Sequence, residues 1–284
     1  MSTPDIATRL LLAADETMAE EVRQLAMQLD SENVRRQDEE AEILAAAKKV
    51  CQTDPEIGAR SVLVVAGEGW HRGVIGIVAS KLVDAFHRPA IVLSIEDGVA
   101  HGSCRSISKF DMLGALERCA SLFIRFGGHK QAAGLTLEAS RVKELRAAVN
   151  AVADEVLGPE DLMPRLRIDA DLTFRSITGG VASGIASLAP FGAGNPRPVF
   201  AARGVEVIDG PRVLKERHLK MALKQDGRIF RAIAWRAAER AEFLTGHKAG
   251  VDVAFSLEQN QYNGETYTEL NIADFKGLGS DRLI

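Results

Sequence analysis

The chain has 284 residues, of which 46% are hydrophobic, and its formal net charge is −4. This length and composition allow one or two hydrophobic cores, so we expect two compact domains and an additional segment. No run of residues approaches the roughly 18 to 20 apolar residues of a membrane span, and the amino terminus lacks the order of a secretory signal. We therefore expect a cytoplasmic protein without a membrane partner.

The amino-terminal region is predicted to be helical. From about Thr8 to Val50, apolar residues such as Val22, Leu25 and Leu29 recur at helical spacing, with no Gly or Pro between them. This pattern predicts one or two amphipathic helices, whose apolar stripe needs a partner. A chain that opens on such a helix is expected to have lost a preceding core.

An α/β region follows. Ser61–Ala66, Val74–Phe86 and Ala90–Ile95 indicate a strand, a helix and a strand, which together predict a βαβ unit with buried strands. Further strands and helices are predicted near Val99–Ser103, Asp111–Leu122, Ala133–Leu137 and Ser140–Val156.

The remainder alternates apolar and polar residues between turns such as Asp226-Gly227 and Asn263-Gly264. About five such strands, with one intervening helix near Gly179–Leu188, favour an antiparallel OB-type barrel. The predicted strands are Arg167–Phe174, Val199–Ile208, His218–Lys224, Arg228–Trp235, Val251–Glu258 and Thr266–Asp274.

The predicted fold class is α/β plus β, in three parts. Residues 1–57 form a helical segment, residues 58–158 an α/β domain, and residues 165–276 an OB-type β-barrel. Residues 203–236 hold nine Lys or Arg against four Asp or Glu. That local excess of positive charge is typical either of a solvated face or of a surface that binds phosphates.

The first glycine-rich segment is Gly67–Gly73 (GEGWHRG), between a predicted strand and a predicted helix. A helix start has free backbone N–H groups and can bind anions. The segment is not a GxGxxG dinucleotide motif, because Arg72 stands where the third glycine belongs. A simple turn is the alternative.

The second segment is His101–Ser106 (HGSCRS), at the end of a short predicted strand. Ser103 and Arg105 are two residues apart, so in a β conformation their side chains lie on the same face. A hydroxyl beside a guanidinium is suited to a terminal phosphate. An ordinary surface pair is the alternative.

The third segment is Phe126–Gly134 (FGGHKQAAG). Two glycines followed by His129 and Lys130 present N–H donors, and the small residues after them leave room for a sugar-phosphate chain. A glycine turn between a helix and a strand is the alternative.

No catalytic constellation is present in the sequence. The six histidines form no HxH, DHH or HExxH pattern, and no GxSxG motif occurs. Cys51, Cys104 and Cys119 show neither CxxC nor CxxH spacing, so we expect free thiols and no metal site.

Taken together, GWHRGVIGIVASKL, GSCRS, FGGHKQAAG and LAPFGAGNPRPVF, in this order, resemble the RecJ exonuclease family. The first three resemble the DHH-associated domain, and the fourth, followed by a barrel, resembles what RecJ has and small-nucleotide phosphodiesterases lack. The segment Asp30–Gln37 resembles the family's connecting helix. The family's DHH metal-ligand motifs are absent, and Arg72 departs from the acidic residue expected after Trp-His.

The resemblance implies a 5′-to-3′ exonuclease on single-stranded DNA, acting in repair and recombination. Its DHH domain, with manganese or magnesium, would cut in cis, so this chain alone is expected to be inactive and to bind no cofactor. Ser103 and Arg105 would hold the 5′ phosphate, and His129 would border the cleft. The residues expected at the phosphate and the strand are His71, Arg72, Gly102, Ser103, Arg105, Ser106, Gly127, Gly128, His129, Lys130 and Gly134.

The barrel would then bind downstream nucleotides, with Trp235 either as a base-stacking platform or as a core residue. The residues expected in its groove are Arg212, Lys215, His218, Lys220, Arg231 and Trp235. Single-strand-binding or other repair proteins are further expected partners. The alternatives are a stand-alone, non-catalytic nucleic-acid-binding or replication scaffold module, and a small-nucleotide phosphodiesterase relative.

Overall fold

The chain divides into two units, at residues 1–164 and 165–284, and each unit has core residues of its own. The computed structural model describes residues 5–13, 19–248, 250–262 and 264–278. Part of the predicted amino-terminal helix (residues 14–18) and Asn263 of the predicted Asn263-Gly264 turn lie outside these ranges. Within the described ranges, no helix is long and apolar enough to cross a membrane.

The first unit is a five-stranded sheet with helices on both faces. Strands β1 and β2 are parallel and joined by α4, as the βαβ pattern predicts, and the other pairs are antiparallel, in the order β1-β2-β3-β5-β4. The elements are α1 (Asp5–Leu12), α2 (Ala19–Thr53), α3 (Pro55–Gly58), β1 (Leu63–Glu68), α4 (Arg72–Phe86), β2 (Ala90–Glu96), β3 (Val99–Arg105), α5 (Met112–Arg118), β4 (Arg125–Gly128), β5 (Ala132–Glu138) and α6 (Val142–Asp154).

The two faces of this sheet have different neighbours. Ala100 and Cys104 of β3, with Leu135 and Leu137 of β5, are buried in the core that includes α5 and α6. The opposite face of β1 and β2 packs against α2 and α4. Because side chains alternate along a strand, the intervening residues of β3 and β5 point to the α4 side.

The three cysteines are free, as the sequence predicts, and all three are buried. Burial raises the pKa of the Cys104 thiol to about 12. The thiol is therefore protonated near neutral pH and behaves as a core residue.

A buried carboxylate joins α2 to α4. Lys81 of α4 donates to Glu40 Oε1, and Arg36 Nη1 donates to Oε2 at 2.7 Å. The hydrogen bond from Lys81 and the charges of both cations hold the pKa of Glu40 below its usual value, against the opposing effect of burial. This ion cluster fixes the register of α2 against α4, where Ile43 and Ala47 of α2 are buried.

The second unit is a closed five-stranded barrel in the order β7-β8-β9-β11-β10, with β10 returning to β7. Strands β9 and β11 are parallel, and the other barrel pairs are antiparallel. This is the arrangement of an OB fold, in which closure leaves few free strand edges. The elements are β6 (Ala170–Asp171), α7 (Gly179–Ala186), β7 (Phe200–Leu214), β8 (His218–Gln225), β9 (Arg228–Ala234), α8 (Ala241–Gly246), β10 (Val251–Tyr262) and β11 (Glu265–Gly277).

The predicted helix near Gly179–Leu188 is confirmed as α7, which lies between β6 and β7 and so precedes the first barrel strand. The sequence does not predict α8, the helix between the third and fourth barrel strands, because its six residues are too few for a periodic pattern. The predicted strand at Arg167–Phe174 is wrong in extent, since only Ala170–Asp171 pairs, parallel to β7.

Strand β4 has no counterpart among the predicted elements, because the sequence analysis interprets these residues as a ligand-binding segment or, alternatively, as a glycine turn. The strand pairs with β5 through backbone groups. Its four residues, two of which are glycines, show no alternation of apolar and polar side chains. A backbone ladder needs no such side chains, so an edge strand of this kind gives no sequence signal. Short 3₁₀ turns complete the structure at Ala120–Leu122, Ala139–Arg141, Pro159–Leu162, Phe174–Ser176 and Ala238–Arg240.

Removing the charge of Glu40 is expected to destabilise the first unit. We expect Glu40→Gln to cost about 1–3 kcal/mol in urea unfolding, less than a fully buried pair because the Lys81 side chain is partly exposed. This contribution is present above the ordinary pKa of 4.5 and is lost as the pH falls through the lowered pKa of the folded state. Glu42→Gln, on an exposed face of the same helix, is the matched control. Equal unfolding free energies for the two variants would contradict a stabilising role for the cluster.

Candidate nucleic-acid interface

The face of β3, β5 and β4 beside α4 carries aligned polar and small residues. Ser103 pairs with Gly134, and Gly134 pairs with Gly127, so the three residues form one row across the strands. Arg105 and Ala132 form the next row. Paired residues on neighbouring strands share a face of the sheet. Gly134 and Gly127 therefore form a floor beside Ser103 that carries no side chains as far as the sheet edge.

Ser103 and Arg105 lie on one face and in contact, as the sequence predicts. Arg105 Nη1 donates to Ser103 Oγ at 3.2 Å and to the Cys104 carbonyl at 2.9 Å. Helix α4 forms a wall beside them, because a side chain on Gly76 would come within 3.1 Å of Ser103 Oγ and 3.3 Å of Arg105 Nη2. Both side chains are half-buried, so the hydroxyl and the guanidinium are held together before any ligand arrives.

The predicted site glycines fall into two classes. A Cβ on Gly102 would meet Leu93 and Leu135 at 2.7 Å on the core face, and Gly128 has a φ of +149° and lies against the Ala132 carbonyl. These two glycines are required by the fold. Gly127 has open space around it, and Gly134 has only an ordinary contact at 3.7 Å. Glycine in a strand costs stability, and the fold does not require a glycine at either of these two positions.

The residues after β4 form a tight turn. The His129 amide donates to the Ala132 carbonyl at 2.8 Å, and the Lys130 carbonyl accepts from the Met112 amide at 3.0 Å. Lys130 Nζ lies 3.7 Å from Asp111 Oδ2 at the surface. His129 is exposed at the end of the bare floor. Ser106 is used by the fold, because its hydroxyl donates to the Phe110 carbonyl at 2.7 Å.

The backbone N–H groups at the start of α4 already have some hydrogen-bond partners within the protein. His71 is the N-cap, and its Nδ1 accepts from the Gly73 amide at 3.0 Å. Arg72 forms an ion pair with Glu96, with Nη2 2.6 Å from Oε2. The open anion site that a helix start offers is thus reduced here, although Arg72 brings a guanidinium to the same side of the sheet.

The outer surface of the barrel presents the second group of predicted residues on β7, β8 and β9. Arg212 pairs with Lys220, and Lys215 lies in the turn between β7 and β8. Trp235 follows β9, is 54% exposed, and lies edge-on to His218 with ring centroids 4.7 Å apart. Trp235 is therefore a surface residue and not a core residue. Arg231 is exposed on the same outer face, over the ring of Tyr267 at 5.6 Å.

The basic stretch is not a continuous positive groove. Arg212 donates to both carboxylate oxygens of Asp209 at 2.8 and 3.1 Å, and Lys224 lies 3.8 Å from Glu206. Arg228 donates to a backbone carbonyl. The cations of this stretch with no carboxylate within ion-pair distance, among the described residues, are Lys215, Arg217, Lys220, Arg228, Arg231 and Arg236. Of the predicted groove residues, Lys215, Lys220 and Arg231 are thus unpaired cations, and His218 and Trp235 lie beside them.

The segment Leu188–Phe200 forms a loop that leads into β7 and is braced by its own side chains. Asn195 Nδ2 donates to two backbone carbonyls of the loop, both at 2.9 Å. Arg197 lies over the Phe191 ring at 4.6 Å and donates to the Leu257 carbonyl at 3.1 Å. The polar residues of this motif therefore shape the loop.

Within the part of the chain that the structure describes, no three His, Cys, Asp or Glu side chains cluster as metal ligands. None of the described residues is therefore assigned to a metal.

Comparisons with known proteins agree with this architecture. The family model described as "DHHA1 domain" matches residues 59–155, and that described as "RecJ OB domain" matches residues 168–274. The crystal structure of RecJ in complex with Mg²⁺ from Thermus thermophilus is 30% identical, with a TM-score of 0.77 over 97% of this chain and 41% of that one. The chain carries a DHHA1 domain and a RecJ OB domain and is similar to one part of RecJ.

Two RecJ relatives illustrate how far the similarity extends. The single-stranded-DNA-specific exonuclease RecJ of Bacillus subtilis is 33% identical over 95% of this chain, which covers 34% of its length. The protein of the same name from Escherichia coli is 31% identical over 89% of this chain and 45% of its length. The chain thus spans less than half of the RecJ relatives named here, and the predicted resemblance to the carboxy-terminal part of RecJ is confirmed.

The sequence analysis did not single out three residues on the face of β3, β5 and β4 beside α4. His101 pairs with Thr136, which pairs with Arg125, and these form the row next to Ser103. Thr136 Oγ1 lies 3.4 Å from His101 Nδ1. His101 could have been found, because it is two residues before Ser103 on the same strand. Arg125 could not, because β4 itself was not predicted.

The two classes of glycine predict opposite effects of the same substitution. We expect Gly134→Ala to leave thermal stability unchanged or to raise it by about 0.4–1 kcal/mol, because the position accepts a Cβ. Gly128→Ala should lose more than about 1 kcal/mol, because its φ and the Ala132 carbonyl both oppose a side chain. Calorimetry on both variants checks this. A loss at Gly134 as large as that at Gly128 would mean that the fold requires both glycines.

Proposed function

We propose that this chain is the strand-holding part of a RecJ exonuclease, which seats the 5′ end of single-stranded DNA. The observation that carries this proposal is the Ser103–Arg105 pair beside a floor of two glycines that the fold does not require. The RecJ relatives are named for a single-stranded-DNA-specific exonuclease activity, which supports the substrate class.

At the 5′ end, Arg105 and the Ser103 hydroxyl are the proposed ligands of the terminal phosphate. A guanidinium and a hydroxyl that already contact each other can donate to two oxygens of one phosphate. Gly134 and Gly127 would let the sugar-phosphate backbone lie on the sheet surface. Exposed His129, at the end of this floor, would border the cleft in which cutting takes place.

Hydrolysis itself is assigned to a part of RecJ outside this chain. Solved RecJ structures are described in complex with Mg²⁺ and Mn²⁺, and the metal would supply charge neutralisation and an activated water. We propose that a DHH domain holds it. The chain alone would then bind strands with salt-dependent affinity and show no manganese-stimulated cutting.

The barrel is proposed to bind the nucleotides that follow. OB folds bind oligonucleotides on the face of their second and third strands, which here are β8 and β9. Trp235, His218 and Lys220 lie on or next to these strands and face outward. A base can stack on the exposed indole while the lysine neutralises a phosphate, which gives binding without sequence preference.

The 5′-phosphate assignment predicts a selective effect at Arg105. We expect Arg105→Ala to weaken binding of a 5′-phosphorylated strand by about 1.5–3 kcal/mol more than binding of a 5′-hydroxyl strand, because a charged hydrogen bond is lost. Fluorescence anisotropy with both strands measures this difference. Arg118→Ala, on the opposite side of the sheet, is the matched control. An equal loss for both strands would remove Arg105 from this role.

The stacking assignment predicts a loss at Trp235 that is independent of the 5′ end. We expect Trp235→Ala to weaken binding of a strand of about a dozen nucleotides by about 1–3 kcal/mol, and Trp235→Phe to retain part of the affinity. Ile229→Ala, an exposed apolar side chain on β9, is the control. The same anisotropy assay serves here. Identical affinities for Trp235→Ala and Ile229→Ala would exclude stacking on this residue.

A further inference from the structure

The exposed Trp235 lies against one aromatic neighbour, His218 of β8. The pairing of β8 with β9 ends at Leu219 and Ala234, and His218 and Trp235 are the next residues on the two chains. Their ring centroids lie 4.7 Å apart, with the ring planes at 71° to each other. An edge-to-face arrangement is favourable for two aromatic rings, so the contact gives the indole a preferred orientation.

The imidazole of His218 is itself held by the backbone. The Arg236 amide donates to His218 Nδ1 at 3.0 Å. A ring nitrogen that accepts a hydrogen bond carries no proton, so neutral His218 is protonated on Nε2. Arg236 directly follows Trp235 in the chain. The hydrogen bond therefore ties the imidazole to the same segment that carries the indole.

The backbone after Trp235 turns in an uncommon conformation. Arg236 has a φ of +55°, in the left-handed region that favours glycine. The Ala238 amide donates to the Arg217 carbonyl at 3.2 Å, so the turn is bonded to Arg217 as well as to His218. Unusual backbone conformations persist where the surrounding contacts specify them. The position of the Arg236 amide, and with it that of the imidazole, is therefore set by the fold.

The contact orients Trp235 without covering it. His218 is half-buried, whereas Trp235 remains 54% exposed. On its other side, His218 pairs with Leu214 of β7, so the imidazole lies in a row between a leucine and the indole. A free side chain on a surface samples several rotamers, and its ordering on binding reduces affinity. An indole that is already oriented avoids that loss.

We propose that His218 is a positioning residue, whose imidazole, anchored by the Arg236 amide, holds the Trp235 indole in the orientation in which a base of the bound strand stacks on it. This inference rests on the proposed function, because it concerns the stacking role proposed for Trp235. His218 itself makes no contact with the strand. Its contribution to affinity passes through Trp235 and disappears when the indole is absent.

A double-mutant cycle tests this role with the full chain and a strand of about a dozen nucleotides. His218→Ala should weaken binding in fluorescence anisotropy by about two- to tenfold, the cost of ordering one side chain. In the Trp235→Ala background the same substitution should change affinity by less than about twofold, because the residue through which it acts is gone. His247→Ala is the matched control, since His247 also lies against a ring, that of Phe243 at 4.2 Å, and its Nδ1 contacts a backbone carbonyl.

Two further measurements separate positioning from a direct contact. His218→Phe keeps a ring beside the indole but has no donor for a phosphate, so it should bind the strand more tightly than His218→Ala. The second measurement is the fluorescence anisotropy of Trp235 without DNA. Because the chain has two tryptophans, this signal is the difference from the matching Trp235→Ala variant, and it should be lower in His218→Ala.

Circular dichroism verifies that the barrel of each variant is folded. If His218→Ala is unfolded, His218→Asn takes its place. This variant keeps an acceptor for the Arg236 amide but has no ring, so it should lose affinity and anisotropy as His218→Ala would.

The outcomes separate this inference from the function on which it rests. If Trp235→Ala binds the strand as tightly as Ile229→Ala, the proposed stacking fails, and the positioning role fails with it. If Trp235→Ala weakens binding but His218→Ala matches His247→Ala, only the positioning role is overturned. Losses that add in the double variant would also overturn it, because His218 would then contact the strand itself.

Discussion

The pairing register of β3, β5 and β4 controls the candidate site, because side chains alternate between the two faces of a strand. Ala100, Cys104 and Leu137 are buried on one face, so the residues between them must point the other way. A slip of one residue would bury Ser103 and Arg105 and expose the core residues, which the hydrophobic effect opposes. The apolar core thus aligns the polar row without contacting it.

Helix α4 adds a second constraint on the same face. Gly76 has no side chain, so the helix packs within contact distance of Ser103 and Arg105 and limits their rotamers. The start of the same helix brings Arg72 to Glu96 and His101. One helix therefore forms the wall of the site and supplies charge to one end of it, and α2 is held to this helix through the ion pair between Lys81 and buried Glu40.

In the barrel, the same alternation of side chains separates the core residues from the outer surface. Closure between β7 and β10 pairs the backbone around the barrel, so inward residues such as Leu219 and Leu223 fill the core. Residues with the opposite alternation, such as Lys220, face outward whatever their chemistry. Acidic neighbours neutralise part of this surface, as Asp209 does for Arg212, so the net charge of a segment overstates what a phosphate would meet.

Residue spacing and short motifs were enough to predict the features that depend only on residues close together in the sequence. The two-residue spacing of Ser103 and Arg105 put them on one face, and Asp226-Gly227 forms the predicted turn, with positive φ at both residues. The same reasoning failed for Gly102, because a glycine required by side-chain packing and one open to a ligand look alike in sequence. It also failed for β4, whose partner lies across a turn and whose side chains carry no periodic pattern.

The amino-acid sequence by itself determined the βαβ unit, the existence of a β-barrel, the pairing of Ser103 with Arg105 on one face, and the likeness to RecJ. Only the tertiary structure decided which glycines are free to face a ligand, which cations are already paired, and that His101, Thr136 and Arg125 share a row. The reason is physical. Hydrophobic periodicity acts over a few residues and is visible locally, whereas strand register and charge pairing depend on residues brought together by the fold.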